Sequence, residues 1–255
     1  MVHFEATRPN IKVDLKEASD VVALPDGRFL LVSDCSDEVA LVDRTGETSR
    51  LKLPHLRSNE SSLEAVAYDP ARRHLFVARE AEGAILRYRF DARDIHPRPE
   101  FESRFSLDLD FKKNKGIEGL AFLPAAHSPT RQDRLLLARE GKPKALYLSA
   151  PSGDEHPKKI RLDGKTKSVS SDFSGLAVDP KTGHVFISSD ESSLVAELRL
   201  VARGRKVRAK LLGTYPLRDA GDRLEKMEGL AFDAEGDLFV LLENASELIH
   251  YERKS

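Results

Sequence analysis

Short apolar runs separated by turn residues recur along this chain in a four-strand pattern. In one stretch the runs are Leu63–Asp69, His74–Glu80, Ala84–Phe90 and Phe101–Leu109; in the next they are Ile117–Leu123, Arg134–Glu140, Lys144–Ala150 and Lys158–Asp163. The first two runs of each set are dense in Val, Leu, Ile and Phe, as expected of strands buried on both faces. Pro25-Asp26-Gly27, Asp69-Pro70, Asp179-Pro180 with Gly183, and Asp233 with Gly236 supply the turns between them. Those aspartates are read as turn formers, because an Asp side chain accepts hydrogen bonds from the backbone just beyond it.

Each set opens on a similar pentapeptide. The openings are Ser19-Asp20-Val21-Val22-Ala23, Glu64-Ala65-Val66-Ala67-Tyr68, Glu118-Gly119-Leu120-Ala121-Phe122, Ser174-Gly175-Leu176-Ala177-Val178 and Glu228-Gly229-Leu230-Ala231-Phe232. They are spaced by 45, 54, 56 and 54 residues. A four-stranded repeat of this length is the signature of a propeller blade. The last set provides Met227–Phe232, Asp237–Glu243 and Glu247–Glu252 and is one strand short, whereas Asn10–Leu15 is strand-like and precedes the first set. Pairing that N-terminal strand with the last blade closes the ring and removes its exposed edges. The sequence thus predicts an all-β fold. It is one five-bladed β-propeller of four-stranded antiparallel blades, a single domain over residues 1–255 with repeats starting near 19, 64, 118, 174 and 228.

The opening strand carries a second pattern, small residues at alternate positions: Ala65 and Ala67, Gly119 and Ala121, Gly175 and Ala177, Gly229 and Ala231. Wedge-shaped blades converge on an axis, so the innermost strands need small residues where neighbours crowd. The first repeat departs, with Asp20 and Val22 in those places. Asp20 then either faces something polar near the axis or reflects local repacking, the simpler account.

Ring closure brings Ser19, Glu64, Glu118, Ser174 and Glu228 to one mouth of the channel. Because the strands alternate in direction, the ends of the second strands, Asp34, Glu80, Glu140, Asp190 and Glu243, belong to the same mouth. Three carboxylates converging on an axis repel one another and lose solvent, a cost that a bound cation removes. An all-oxygen donor set excludes zinc and copper in favour of a hard ion. Five donors around an axis suit the equator of a pentagonal bipyramid, which calcium accepts and octahedral magnesium does not. The expectation is Ca²⁺ held by Ser19, Glu64, Glu118, Ser174 and Glu228. The alternative is a polar channel filled with ordered water.

The Glu-Gly-Leu-Ala-Phe-Asp pattern, followed by Leu-Phe-Val and an acidic residue, resembles the bacterial SdiA-regulated propeller family over nearly the full chain. That resemblance implies a calcium-binding propeller of largely undescribed activity. The Ser/Glu ring itself resembles that of the calcium-activated nucleotidases, the soluble apyrases. Position by position, their calcium ligands would be Ser19, Glu64, Glu118, Ser174 and Glu228. The chain departs from the nucleotidases in having no tryptophan and none of their longer catalytic segments. Phytase-like and gluconolactonase-like propellers are more distant by the same signal.

Composition narrows the function classes. With 33% charged residues, 40% hydrophobic residues and a net charge of −1, no global electrostatic case exists for nucleic acid or an anionic membrane. No apolar run reaches the length of a membrane span, and the first residues lack the layout of a signal peptide. A cytoplasmic protein or a mature exported form is expected; the oligomeric state is left open. The single cysteine, Cys35, excludes an internal disulfide. Arg57, Lys112, Lys113, Lys115, Lys165, Lys167, Arg218, Arg223 and Lys226 precede the inner strands, and Arg79, Arg139, Lys142 and Lys144 flank the outward loops. This basic rim is suited to an anionic small molecule. Two functions follow: a calcium-binding ligand-binding or interaction module, or a calcium-dependent hydrolase of phosphoesters, phosphoanhydrides or lactones. In the second, Asp34, Glu80, Glu140, Asp190 and Glu243 are the candidate catalytic carboxylates.

Overall fold

The computed structural model describes residues 3–7, 9–56, 62–79, 83–109, 116–139, 144–204, 206–219, 221–224 and 226–254. The chain begins with β1 (His3–Ala6) and β2 (Ile11–Lys12). The first antiparallel sheet is β3 (Ala18–Ala23), β4 (Phe29–Ser33), β5 (Glu38–Val42) and β6 (Thr48–Lys52). The second is β7 (Leu63–Asp69), β8 (His74–Arg79), β9 (Ala84–Arg89) and β10 (Glu100–Ser106). Next come β11 (Ile117–Leu123), β12 (Arg134–Arg139), β13 (Ala145–Ser149), β14 (Lys158–Leu162) and the short helix α1 (Gly164–Ser168). The following group is β15 (Gly175–Val178), β16 (Val185–Ser189), β17 (Leu194–Arg203) and β18 (Lys206–Tyr215). After a small hairpin of β19 (Arg218–Asp219) and β20 (Asp222–Arg223), the chain finishes with β21 (Met227–Phe232), β22 (Leu238–Leu242) and β23 (Glu247–Lys254).

Two connections differ from the simple repeat. The strand expected at Asn10–Leu15 is divided. Ile11–Lys12 pairs with Leu248 and Glu247, and the unpredicted β1 pairs with the far half of β23, from His3 opposite Lys254 to Ala6 opposite Tyr251. Further, β14 and β18 pair in parallel at Arg161↔Arg208 and Leu162↔Ala209, merging the third and fourth groups into one eight-stranded sheet. The long β17–β18 hairpin reaches far enough to cover the edge of β14, which would otherwise be unpaired.

Contacts between innermost strands run from β3 to β7, β7 to β11, β11 to β15, β15 to β21, and from β21 back to β3. The core lies between successive sheets, in apolar clusters that follow one rule. An alanine from one inner strand shares a cluster with a larger residue from the next: Ala67 with Leu120, Ala121 with Leu176, Ala177 with Leu230, and Ala231 with Val21. Between the first two sheets Val22 and Val66 take these places. Small facing large lets the wedges interdigitate at native density.

The glycines of the same strands are fixed by backbone approach. A Cβ on Gly119 would lie 2.7 Å from the Leu176 Cβ, one on Gly175 2.8 Å from the Glu228 carbonyl oxygen, and one on Gly229 2.9 Å from the Val21 nitrogen. Each glycine admits the following inner strand, as the crowding pattern predicts.

The turn aspartates behave as expected and do one thing more. Asp69, Asp179 and Asp233 are buried and accept backbone hydrogen bonds from Ala71, Lys181 and Asp237 at 2.9 Å each. Arginines then reach across from neighbouring sheets: Arg44 to Asp233 at 2.7 Å and Arg253 to Asp179 at 2.6 Å, while Arg72 joins Asp69 to Asp133. These pairs latch adjacent sheets at the mouth opposite the Ser/Glu positions. Retaining a buried carboxylate this way works because backbone donors and a guanidinium together offset its desolvation.

Candidate metal centre

The Ser/Glu positions share a local device that the repeat alone does not reveal. In β3 the pairing jumps from Ala18↔Ser33 to Asp20↔Val32, leaving Ser19 as an extra residue. The same shift falls between Leu63 and Ala65, between Ile117 and Gly119, and between Met227 and Gly229. Glu64, Glu118 and Glu228 are therefore each the extra residue of a β-bulge. In the remaining group the Ser174 N–H donates to the Ser188 carbonyl at 3.1 Å, although Ser188 is already the partner of Gly175. A bulge re-aims one side chain while leaving the following register intact, so each inner strand turns its first side chain out of the alternation that packs the rest.

The hydroxyl ligands proposed from sequence are anchored by their protons. Ser174 is buried and donates from Oγ to the Met227 carbonyl at 2.6 Å, and Ser19 donates to the Glu17 carbonyl at 3.4 Å. A hydroxyl that gives its proton to a carbonyl keeps its lone pairs for a cation. Glu64, Glu118 and Glu228 are half-buried. Burial pushes the Glu228 carboxyl up to about 7; Glu243, Asp190 and Asp172 push the same way and Lys226 opposes them.

Directly after the first Ser/Glu position lies a group the sequence did not place. Asp20 is wholly buried. Its carboxylate accepts the Val21 and Val66 N–H groups at 2.9 Å each, and the Leu120 N–H faces it as well. One side chain thus ties β3, β7 and β11 together, and its Cα and Oδ1 both approach the site of Gly229 in β21 at 3.1 Å. Burial drives its pKa well above the carboxylate range; the three backbone donors oppose that, and Glu228 adds to it. Local repacking is therefore the wrong account of Asp20: it faces backbone donors at the convergence of the inner strands. The signal was present, as an acidic residue where every other repeat has Gly or Ala.

The second set of carboxylates is distributed unevenly. Asp190 accepts the Lys226 N–H at 2.6 Å, and Glu243 lies 3.8 Å from the Lys226 ammonium. Asp34 is exposed and clusters with Glu17 and Cys35, whose candidate ligand atoms lie within 4.8 Å of one another. Glu80 and Glu140 lie outside the described residues. Asp172, which no repeat pattern singled out, is buried at this mouth. It accepts the Ser189 hydroxyl and the Asp190 and Glu191 N–H groups, the latter two at 3.1 and 3.4 Å.

Of the basic rim, Arg57, Lys112, Lys113, Lys115 and Lys142 lie outside the described residues. Lys165 and Lys167 sit exposed on α1, and Arg218 and Arg223 belong to the β19–β20 hairpin. Lys144 is turned inward. It donates to the Ser170 carbonyl and hydroxyl and lies 5.0 Å from the centre of the Phe173 ring, with its pKa lowered by burial.

The raised pKa of Glu228 has a consequence for stability. A glutamate normally titrates near 4.5 and this one near 7 when folded, so the folded chain holds the proton more tightly than the unfolded chain. Stability of the metal-free protein should fall as pH rises across that window and level off above it. In chelator, the melting temperature at pH 6 should exceed that at pH 8, the difference corresponding to ~1–2 kcal/mol after allowing for partial exposure. Glu228→Gln should flatten the profile; an unchanged slope would refute the burial argument.

Comparison with known proteins supports the architecture. A glutaminyl cyclase from Myxococcus xanthus superposes with a TM-score of 0.64 at 13% identity, covering 99% of this chain and 97% of that one. The PQQ-bound aldose sugar dehydrogenase of Streptomyces coelicolor gives 0.57 at 13% identity, covering 100% and 99%. A candidate gluconolactonase gives 0.56 at 16% identity, covering 97% and 81%. At such identities these neighbours establish the fold alone, an all-β propeller. No helix among the described residues is long and apolar enough to cross a membrane. The family model for SdiA-regulated proteins matches residues 77–246, two-thirds of the sequence and most of the repeats. On that match the chain belongs to the SdiA-regulated family.

Proposed function

We propose that this chain is a five-bladed, single-domain propeller that binds one Ca²⁺ at the bulged mouth, and that it acts as a ligand-binding or interaction module. The observation that carries the reading is the pair formed by Asp20 and Glu228. One carboxylate is wholly buried, the other is held near neutrality by burial and by further acids, and Asp20 has no ion-pair partner among the described residues. Such an arrangement is costly unless a cation lies beside it.

The donor types suit the ion, and binding would have to draw together Glu64, Glu118 and Glu228, whose carboxylate oxygens are not gathered within 4.8 Å of one another; among the described residues only Glu17, Asp34 and Cys35 are. Carboxylates of Glu64, Glu118 and Glu228 and hydroxyls of Ser19 and Ser174 are hard oxygen ligands, the type that calcium takes six to eight of. Bulges at the ring positions free these side chains from sheet packing. When bound, the ion would supply a fixed positive charge at the mouth, able to hold an anionic group. The protein would supply the orientation of that group through the lysines and arginines of the rim. Equilibrium dialysis should find one calcium per chain, weakened at least tenfold by Glu64→Gln or Glu118→Gln. A chain that binds no calcium under these conditions would end the proposal.

A second reading, a calcium-dependent hydrolase, is supported by the electrostatic coupling of Asp190 and Glu243 to Glu228, since either carboxylate would then be a candidate base near the proposed ion. Assays with a nucleoside diphosphate, a phosphomonoester and a lactone separate the two. Calcium-dependent turnover lost in Glu243→Gln supports the hydrolase, and no turnover of any of the three supports the binding module.

A further inference from the structure

The mouth opposite the Ser/Glu ring is not the mirror of the first. There the inner strands open into a well of about 440 Å³. Its floor is made by Val21, Val66, Leu120, Leu176 and Leu230, one residue from each inner strand. Above the floor the wall carries Val22, Ala23, Phe122, Val178 and Phe232, all half-buried. These side chains pack against the apolar clusters between the sheets and also line the well.

We infer that this well is a binding site for a neutral, apolar small molecule. Its volume falls within the range of ligand pockets, about 300–1,000 Å³. It is roughly three times the ~150 Å³ apolar cavity that suffices for benzene, so a bicyclic or larger hydrophobic skeleton fits. The polar groups at its edge are committed elsewhere. Arg72 is shared between Asp69 and Asp133, Asp233 is held by Arg44, and His127 Nε2 lies 3.0 Å from the Pro180 carbonyl oxygen. With three carboxylates to two guanidiniums, the rim is already paired within the protein and its residual charge is negative, which disfavours an anion. An apolar wall penalises the desolvation of any ion. Apolar surface gathered in a concavity is instead stabilised by an apolar occupant, at ~25 cal/mol per Å² covered. The walls belong to paired strands latched by the inter-sheet arginines, so the site is preformed and little ordering is lost on binding.

Nile red, a neutral solvatochromic dye, tests the inference on the intact protein. Saturable binding at one site per chain is expected, with a blue-shifted emission. Ala23→Trp fills the well from a half-exposed position, and Val178→Lys places a charge in its wall; each should weaken binding at least tenfold. Circular dichroism and melting identify whichever variant is folded, so that one suffices if the other is not. Glu118→Gln, at the opposite mouth, should leave dye binding unchanged with or without calcium, which separates this site from the metal centre. No saturable binding by the wild type, or undiminished binding in both folded variants, overturns the proposal.

Discussion

Calcium at one hundred times its dissociation constant is expected to raise the melting temperature by ~5–10 °C over the same protein in EDTA. Selective binding to the folded state at that ratio contributes ~2.7 kcal/mol. A chain of this size shifts by ~2–4 °C for each kcal/mol. The effect should be large at pH 8, where Glu228 must otherwise be ionised in a half-buried, acid-rich setting, and smaller at pH 6, where protonation already relieves the repulsion. Magnesium should give less at equal concentration, because the proposed five-donor set suits a pentagonal bipyramid and magnesium insists on an octahedron. Glu118→Gln should remove most of the response while retaining the fold. Identical melting in calcium and EDTA, together with no metal in the purified protein, would leave Asp20 and Glu228 to be explained by protonation alone.

Gly229→Ala is expected to be strongly destabilising. The added methyl would stand 2.9 Å from the Val21 nitrogen and 3.1 Å from both the Asp20 Cα and its Oδ1. The nearest of these atoms is backbone, and all belong to β3, which is itself held by the Asp20 hydrogen bonds to β7 and β11. Neither side can yield without separating inner strands, so overpacking of ~2–4 kcal/mol is expected, a drop of roughly 6–12 °C in melting temperature. Gly164→Ala is the control. Nothing lies within 4 Å of its added carbon, and it should melt as the wild type does. Equal stability of the two variants would contradict the crowding described for the inner strands.

Much of this architecture was legible because apolar pattern and turn chemistry agree. Leu63–Asp69, Ile117–Leu123 and Met227–Phe232 form strands with the limits read from their alternation. Other strands differ by one to three residues at an end, such as Leu238–Leu242 against the expected Asp237–Glu243 and Glu100–Ser106 against the expected Phe101–Leu109. The bulges were not legible, since alternation reports which face a residue takes and not whether two residues oppose one. The strand at His3–Ala6 was missed because only Phe4 within it is buried, among Phe186, Tyr215 and Phe232; a single apolar residue makes no period. Asp172 could not be found, as its role depends on Ser189 and the backbone after it, brought near by β16 rather than by any spacing. Asp20 stood out as an exception, and only three strands meeting around one carboxylate explain why an acid is tolerated there.

The pairing of β1 with β23 also sets an order of events. His3 to Ala6 leave the ribosome long before their partners, Tyr251 to Lys254, which come some two hundred and fifty residues later. Until then β1 has no strand to pair with. On one side β21 can rest against β15, but on the other it must wait for the first sheet to curl round to it. Closing so long a loop costs entropy before any contact repays it, and contacts of such separation slow folding. The contacts that close the circle, β1 with β23 and β21 with β3, are therefore expected to be among the slowest to form.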